Sequence, residues 1–176
     1  MASHKVQINR APVLTLWATV VAERLGYDRE AALTLGKAVA GLNAQSKARR
    51  LGIVDEPTDQ REEKVPRGRK PGEPALVTIL GRAVPTVSTA QGVRATSKGQ
   101  PMNPVSVRRY LQQKFGEALA DVQTAMEDLA QAYPPEHLAV RAYALYERFR
   151  PDVPEGKKGW GAPGQLDLDA IRALAQ

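Results

Sequence analysis

Leu111, Phe115, Leu119, Val122, Met126, Leu129 and Tyr133 recur at steps of three and four residues. That spacing sets all seven on one stripe of an α-helix, and it does not fit the two-residue alternation of a half-buried strand. Asn103-Pro104 ahead of the run reads as an N-cap followed by a first-turn proline. Pro134-Pro135 behind it forces a turn and starts another helix, on which Leu138, Ala142, Leu145 and Phe149 repeat the spacing. A helical hairpin is therefore predicted over this part of the chain.

A second hairpin is predicted near the N-terminus. Pro12 can open a helix, and Val13, Leu14, Leu16, Trp17, Val20, Val21 and Leu25 follow it. This apolar set is too broad for a half-exposed helix, so the element belongs at the centre of the core. Gly26 is a natural left-handed stop, and Asp28 caps a second helix running to about Leu51. Ala31, Leu35, Val39 and Leu42 keep the helical period there. Gly36, Ala40, Gly41 and Ala44 are small enough to let another helix approach closely.

Between the hairpins the periodicity fails. Residues 54–74 exchange apolar side chains for Pro, Gly, Glu, Lys and Arg, the composition of a basic flexible linker. Residues 75–96 read two ways. Leu76, Ile79, Leu80 and Ala83 share a helical face, whereas Val77, Thr78 and Ile79 suit a short strand, and a β-hairpin is the alternative to the slightly favoured helix. After Pro151 comes EGKKGWGAPG, and then Asp167 or Asp169 caps a short last helix bearing Leu168, Ile171 and Leu174. The expected fold is all-α or mainly α. It comprises a hairpin over 1–53, a linker over 54–74 and a second hairpin with a closing segment over 75–176, the outer parts forming one compact domain.

Composition narrows the chemistry. Aromatic residues make up 5% of the chain, and alanine and leucine supply most apolar positions, which favours helices over a β-sandwich. There is no cysteine, so disulfides, thiolate metal sites and thiol catalysis are excluded. The segment MASHKVQINRAP lacks the apolar run of a signal peptide, and no apolar stretch approaches the ~20 residues that span a bilayer. A cytoplasmic protein without membrane attachment is expected.

Charge points to a partner. Residues 44–112 hold thirteen Lys/Arg against six Asp/Glu, while residues 113–176 hold seven against ten. Within the basic middle, Pro66-Arg67-Gly68-Arg69-Lys70-Pro71 resembles the AT-hook, a short motif centred on Arg-Gly-Arg followed by proline. The resemblance implies that Arg67 and Arg69 lie along the narrow minor groove of A·T-rich DNA. Gly68 would allow close approach, and the prolines would keep the strip extended. Narrow A-tract grooves concentrate the negative potential that draws arginine in. Lys70 departs from the commonest core by separating Arg69 from Pro71, and Glu62, Glu63 and Glu73 flank the motif.

Further phosphate contacts are expected from Arg49 and Arg50 at the end of the second helix. Arg108, Arg109 and Gln112 add others, Arg108 and Gln112 standing one turn apart on one face. Helices one and two make a poor helix-turn-helix, because Asp28 and Glu30 occupy the end that would meet phosphates. The turn and helix around Pro101–Lys114 suit that role better. Lys157 and Lys158 form a weak anion candidate beside the glycines, where Trp160 folding back on the core is the preferred reading. Gly159-x-Gly161-x-x-Gly164 matches the dinucleotide fingerprint in letters, but no strand precedes it.

Catalytic motifs are missing: no G-x-S-x-G, no P-loop and no H-E-x-x-H occurs, and His4 and His137 are the only imidazoles. No catalytic residue, metal site or cofactor is assigned. The expectation is a non-enzymatic nucleic-acid-binding protein, with DNA as the first partner. The alternative is a helical interaction module, binding an acidic protein or a second copy of itself as a homodimer.

Overall fold

The computed structural model describes residues 5–50, 74–90, 92–97, 100–151 and 163–175, with only the backbone described for residues 43–50 and a few strand ends. The first helix, α1 (Arg10–Arg24), is buried from Pro12 through Ala22. It is the axle of the molecule, as the breadth of its apolar surface implied. α2 (Arg29–Arg50) pairs with it along its length, and Asp28 caps α2 by accepting from the Ala31 N–H at 3.3 Å. Gly36 shows how near the two helices come. A Cβ added there would overlap the Thr15 carbonyl oxygen and Thr19 Oγ1 of α1. Gly26, at φ +115°, makes the turn between them.

From residue 74 the chain forms strands rather than the favoured helix. β2 (Pro74–Ile79), β3 (Arg82–Thr89), β4 (Gly92–Ser97) and β5 (Gln100–Pro101) make an antiparallel meander. Ile79 pairs with Arg82 across a two-residue loop in which Leu80 (φ 52°) and Gly81 (φ 77°) are both left-handed, the conformation of a type I′ hairpin. A leucine seldom adopts this conformation; here its side chain is buried, so packing offsets the backbone cost. The sheet is fastened to α2 by Thr34, whose Oγ1 accepts the Ala95 N–H at 3.0 Å while donating to Ala31 O at 2.8 Å. Pro74, the last residue of the expected linker, belongs to β2, and residues 54–73 lie outside the described residues.

The long helical run is also divided. α3 (Pro104–Phe115) stops where Gly116 takes φ 57°, a 3₁₀ turn spans Gly116–Ala118, and α4 (Leu119–Gln131) follows as a separate helix. A stripe at three- and four-residue steps is satisfied by two consecutive helices as well as by one, so the break left the pattern unmarked. α5 (Pro135–Phe149) follows the proline turn. It and α4 are neighbours in sequence, but each packs chiefly on α1 and on α6 (Leu168–Leu174), so the second hairpin is not a tight helix pair. Trp17 of α1 joins α5 through its Nε1–H, which donates to Ala142 O at 2.9 Å, and through an edge-on contact with Phe149.

The two ends of the chain meet in an element that no local pattern indicates. β1 (Lys5–Asn9) and β6 (Pro163–Asp167) pair antiparallel, with Val6 opposite Leu166 and Ile8 opposite Gly164. Ile8 and Leu166 bury into the common core, and Asp167 then caps α6 by accepting from the Asp169 N–H. The architecture is mainly helical with two small antiparallel sheets among the described residues.

Candidate nucleic-acid interface

α3 is built to show a basic face. Asn103 Oδ1 accepts from the Val105 N–H at 2.9 Å and Pro104 occupies the first turn, so the helix starts where the sequence indicated. Val107, Leu111 and Phe115 recur every four residues and are buried. Arg109 stands opposite that stripe, Arg108 and Gln112 flank it along one edge and Lys114 along the other, and all four are exposed. α3 carries three basic residues and no acidic one. Its neighbour α2 carries five basic residues and one acidic residue, and the meander adds Arg82 and Arg94 with no acid. α4, by contrast, carries Asp121, Glu127 and Asp128 with no base.

Lys37 joins the two basic helices. Its Nζ lies 4.3 Å from the centroid of the Tyr110 ring, a cation–π contact between α2 and α3. Burial lowers the Lys37 pKa from its ordinary value, and the nearby charge of Lys114 lowers it further. Tyr110 is shifted up because burial disfavours the phenolate, with a hydrogen bond to Thr15 opposing the shift. Lys37 does not stand out in the sequence, since it sits among the apolar positions of α2. It also lines an open hollow of about 250 Å³ with Met102, Asn103, Ser106 and Val107 at the head of α3.

Other cations are spent inside the fold. Arg24 donates from Nε to Ala130 O at 3.3 Å and from Nη2 to Tyr133 O at 2.9 Å, closing the C-terminal turn of α4. Arg10 Nε donates to Pro151 O at 2.9 Å. Arg94 is buried in the sheet and pairs with Glu30 at 3.0 Å. Arg29 is held by Glu23, with Glu127 at 3.9 Å. Arg108, Arg109 and Lys114 have no such ties: among the described residues, none of the three has a hydrogen-bonding or ion-pairing side-chain partner.

The remaining candidates fall differently. Arg67, Gly68, Arg69, Lys70, Lys157 and Lys158 lie outside the described residues, as does Trp160. Arg49 and Arg50 belong to the last turn of α2 by backbone. Arg108 and Gln112 do share a face, and that face adjoins a cavity between α1, α2 and α3. Large exposed apolar side chains are scattered over three elements as Leu76, Val105 and Val140, while the broad apolar surface of α1 is turned inward. Among the described residues no group of three His, Asp or Glu side chains could hold a metal ion, and no helix is long and apolar enough to cross a membrane. Comparison of the chain with protein-family profiles, curated proteins and solved structures finds no match.

Proposed function

We propose that this chain is a non-enzymatic nucleic-acid-binding protein, with duplex DNA its first partner. Arg108, Arg109 and Lys114, exposed on an acid-free helix and unpartnered among the described residues, carry this reading. Cations with no intramolecular work can exchange their water for phosphate, and each phosphate neutralised releases condensed counterions. α3 packs on α2, whose C-terminal end leads in sequence into the Arg67-Gly68-Arg69 strip. In this reading α3 and the end of α2, with Arg49 and Arg50, hold backbone phosphates. Residues 61–72 supply groove contact and the preference for A·T-rich sequence.

Fluorescence anisotropy with A·T-rich and G·C-rich duplexes at about 50 and 200 mM salt, a range over which phosphate-dominated binding falls steeply, tests it. Replacing Arg67 and Arg69 by Ala is expected to remove the A·T preference, whereas replacing Lys157 and Lys158 leaves it in place. Equal losses in both variants would assign the binding to diffuse charge. Absence of binding at the lower salt would refute the proposal and favour an acidic protein or a second copy of the chain as partner.

A further inference from the structure

Where α1, α2 and α3 meet the start of α4, packing leaves a cavity of about 180 Å³. Leu16, Val20, Leu33 and Leu111 line it and are buried, and Leu119 completes an apolar interior. Thr19, the polar residue among these buried lining positions, already donates its hydroxyl to Thr15 O at 2.8 Å. The interior thus offers a ligand shape and apolar contact, with no free polar group to satisfy. A dry apolar cavity of around 150 Å³ accepts a benzene-sized guest, which sets the scale of what fits.

The opening is polar, and its charges do not cancel. Arg29 is taken up by Glu23 and lies 3.9 Å from Glu127, and Gln123 Nε2 donates to Glu127 at 3.0 Å. Arg108 and Gln112 also line the opening, one helical turn apart and exposed, and among the described residues their side chains have no partner. One guanidinium and one amide remain to receive a ligand. Together they match a single carboxylate, which a guanidinium can grip with two parallel N–H donors. Glu23, on the same rim, opposes any group carrying more negative charge.

We infer that this cavity is a binding site for a small monocarboxylic acid bearing one ring or one branched alkyl group. The apolar group fills the space between Val20, Leu33 and Leu111, and the carboxylate meets Arg108 and Gln112. The site shares Arg108 with the proposed phosphate contacts, but its test uses protein and acid alone, so its outcome is read apart from duplex binding.

Isothermal titration and thermal shift with sodium phenylacetate test the assignment, against acetate at equal ionic strength and against uncharged phenylacetamide. Phenylacetate is expected to bind saturably and raise Tm, while acetate does neither and the amide binds at least several-fold more weakly. A ligand of about ten non-hydrogen atoms binds with a Kd no weaker than about 10 mM at ordinary ligand efficiency, so titration to that level suffices. Arg108→Ala, a surface change, should weaken phenylacetate about tenfold with an unchanged circular dichroism spectrum. Leu33→Trp should abolish binding by filling the cavity. Should that variant misfold, the Arg108→Ala result together with the acetate and amide comparisons decides. Equal stabilisation by acetate, unchanged affinity in Arg108→Ala, or no phenylacetate binding to the native chain would each overturn the inference.

Discussion

The arginines of α1 and β4 and those on α3 are the same residue type put to opposite uses. Arg24 closes α4 by donating to Ala130 O and Tyr133 O, and Arg94 is buried against the half-exposed Glu30. Arg108 and Arg109 extend from a helix with no acid of its own and, among the described residues, touch no partner. A guanidinium that replaces its hydration with carbonyls is part of the fold, and removing it leaves those acceptors unsatisfied. One that stays in water adds little to stability and is available to something outside. Net charge gives no means of telling these two kinds apart; partners do.

The contrast sharpens when the fold's own interior is disturbed first. Gly36→Ala should be the most damaging single change, because its Cβ meets a backbone carbonyl that cannot move aside. A loss of about 3 kcal/mol is expected in urea denaturation, the upper part of the usual overpacking range. Gly41→Ala on the same helix has open space around it and should stabilise by about 0.5 kcal/mol through helix propensity. If the two behave alike, the close approach of α1 and α2 is wrong.

Next come the arginines themselves. Arg24→Ala should cost about 2 kcal/mol by stripping the donors from two carbonyls. Arg109→Ala should leave the urea midpoint where it was. A similar loss in both would erase the distinction drawn between the two sets.

Tyr146 reverses the sign of the losses expected at Gly36 and Arg24. The Tyr146 hydroxyl is buried without a hydrogen-bond partner among the described residues, and burial raises its pKa well above the ordinary 10.0. Tyr146→Phe should therefore stabilise the fold near neutral pH by about 1 kcal/mol, as removal of an unsatisfied polar atom does. Its pH dependence follows from the upward shift. Stability from the protonated phenol is fully present below pH 10.0 and falls above it, because the unfolded chain ionises first. The Phe variant should lose part of that alkaline decline when melting curves are compared across pH 9 to 12, about the window in which a free tyrosine titrates.

Much of the helical scaffold was legible because helices announce themselves over a single turn. The caps at Asp28 and Asn103 and the stop at Gly26 are local signals that stand where the sequence set them, and of the two candidates for the last cap Asp167 is the one used. Pairing between distant segments leaves no such mark. β1 and β6 are five-residue strands that become strands only by meeting each other from opposite ends of the chain. The meander was obscured by Leu80, which fills a turn position where Asn or Gly is the usual signal and also completes an apparent helical face with Leu76, Ile79 and Ala83. Of the interface, the exposure of the α3 cations around the buried stripe of Val107, Leu111 and Phe115 follows from helical spacing. The Lys37–Tyr110 contact could not be read in advance, since it depends on how α2 and α3 pack.

The cations of α3, unneeded by the fold, serve a polyanion in this account. The most direct measurement is the salt dependence of duplex binding for the native chain and for the Arg108→Ala/Arg109→Ala/Lys114→Ala variant, with both melting profiles recorded alongside. The prediction is matching melting profiles, weaker binding to every sequence, and a slope of log Kobs against log salt made shallower by roughly one for each phosphate no longer neutralised. An unchanged slope and affinity in a properly folded variant would contradict it.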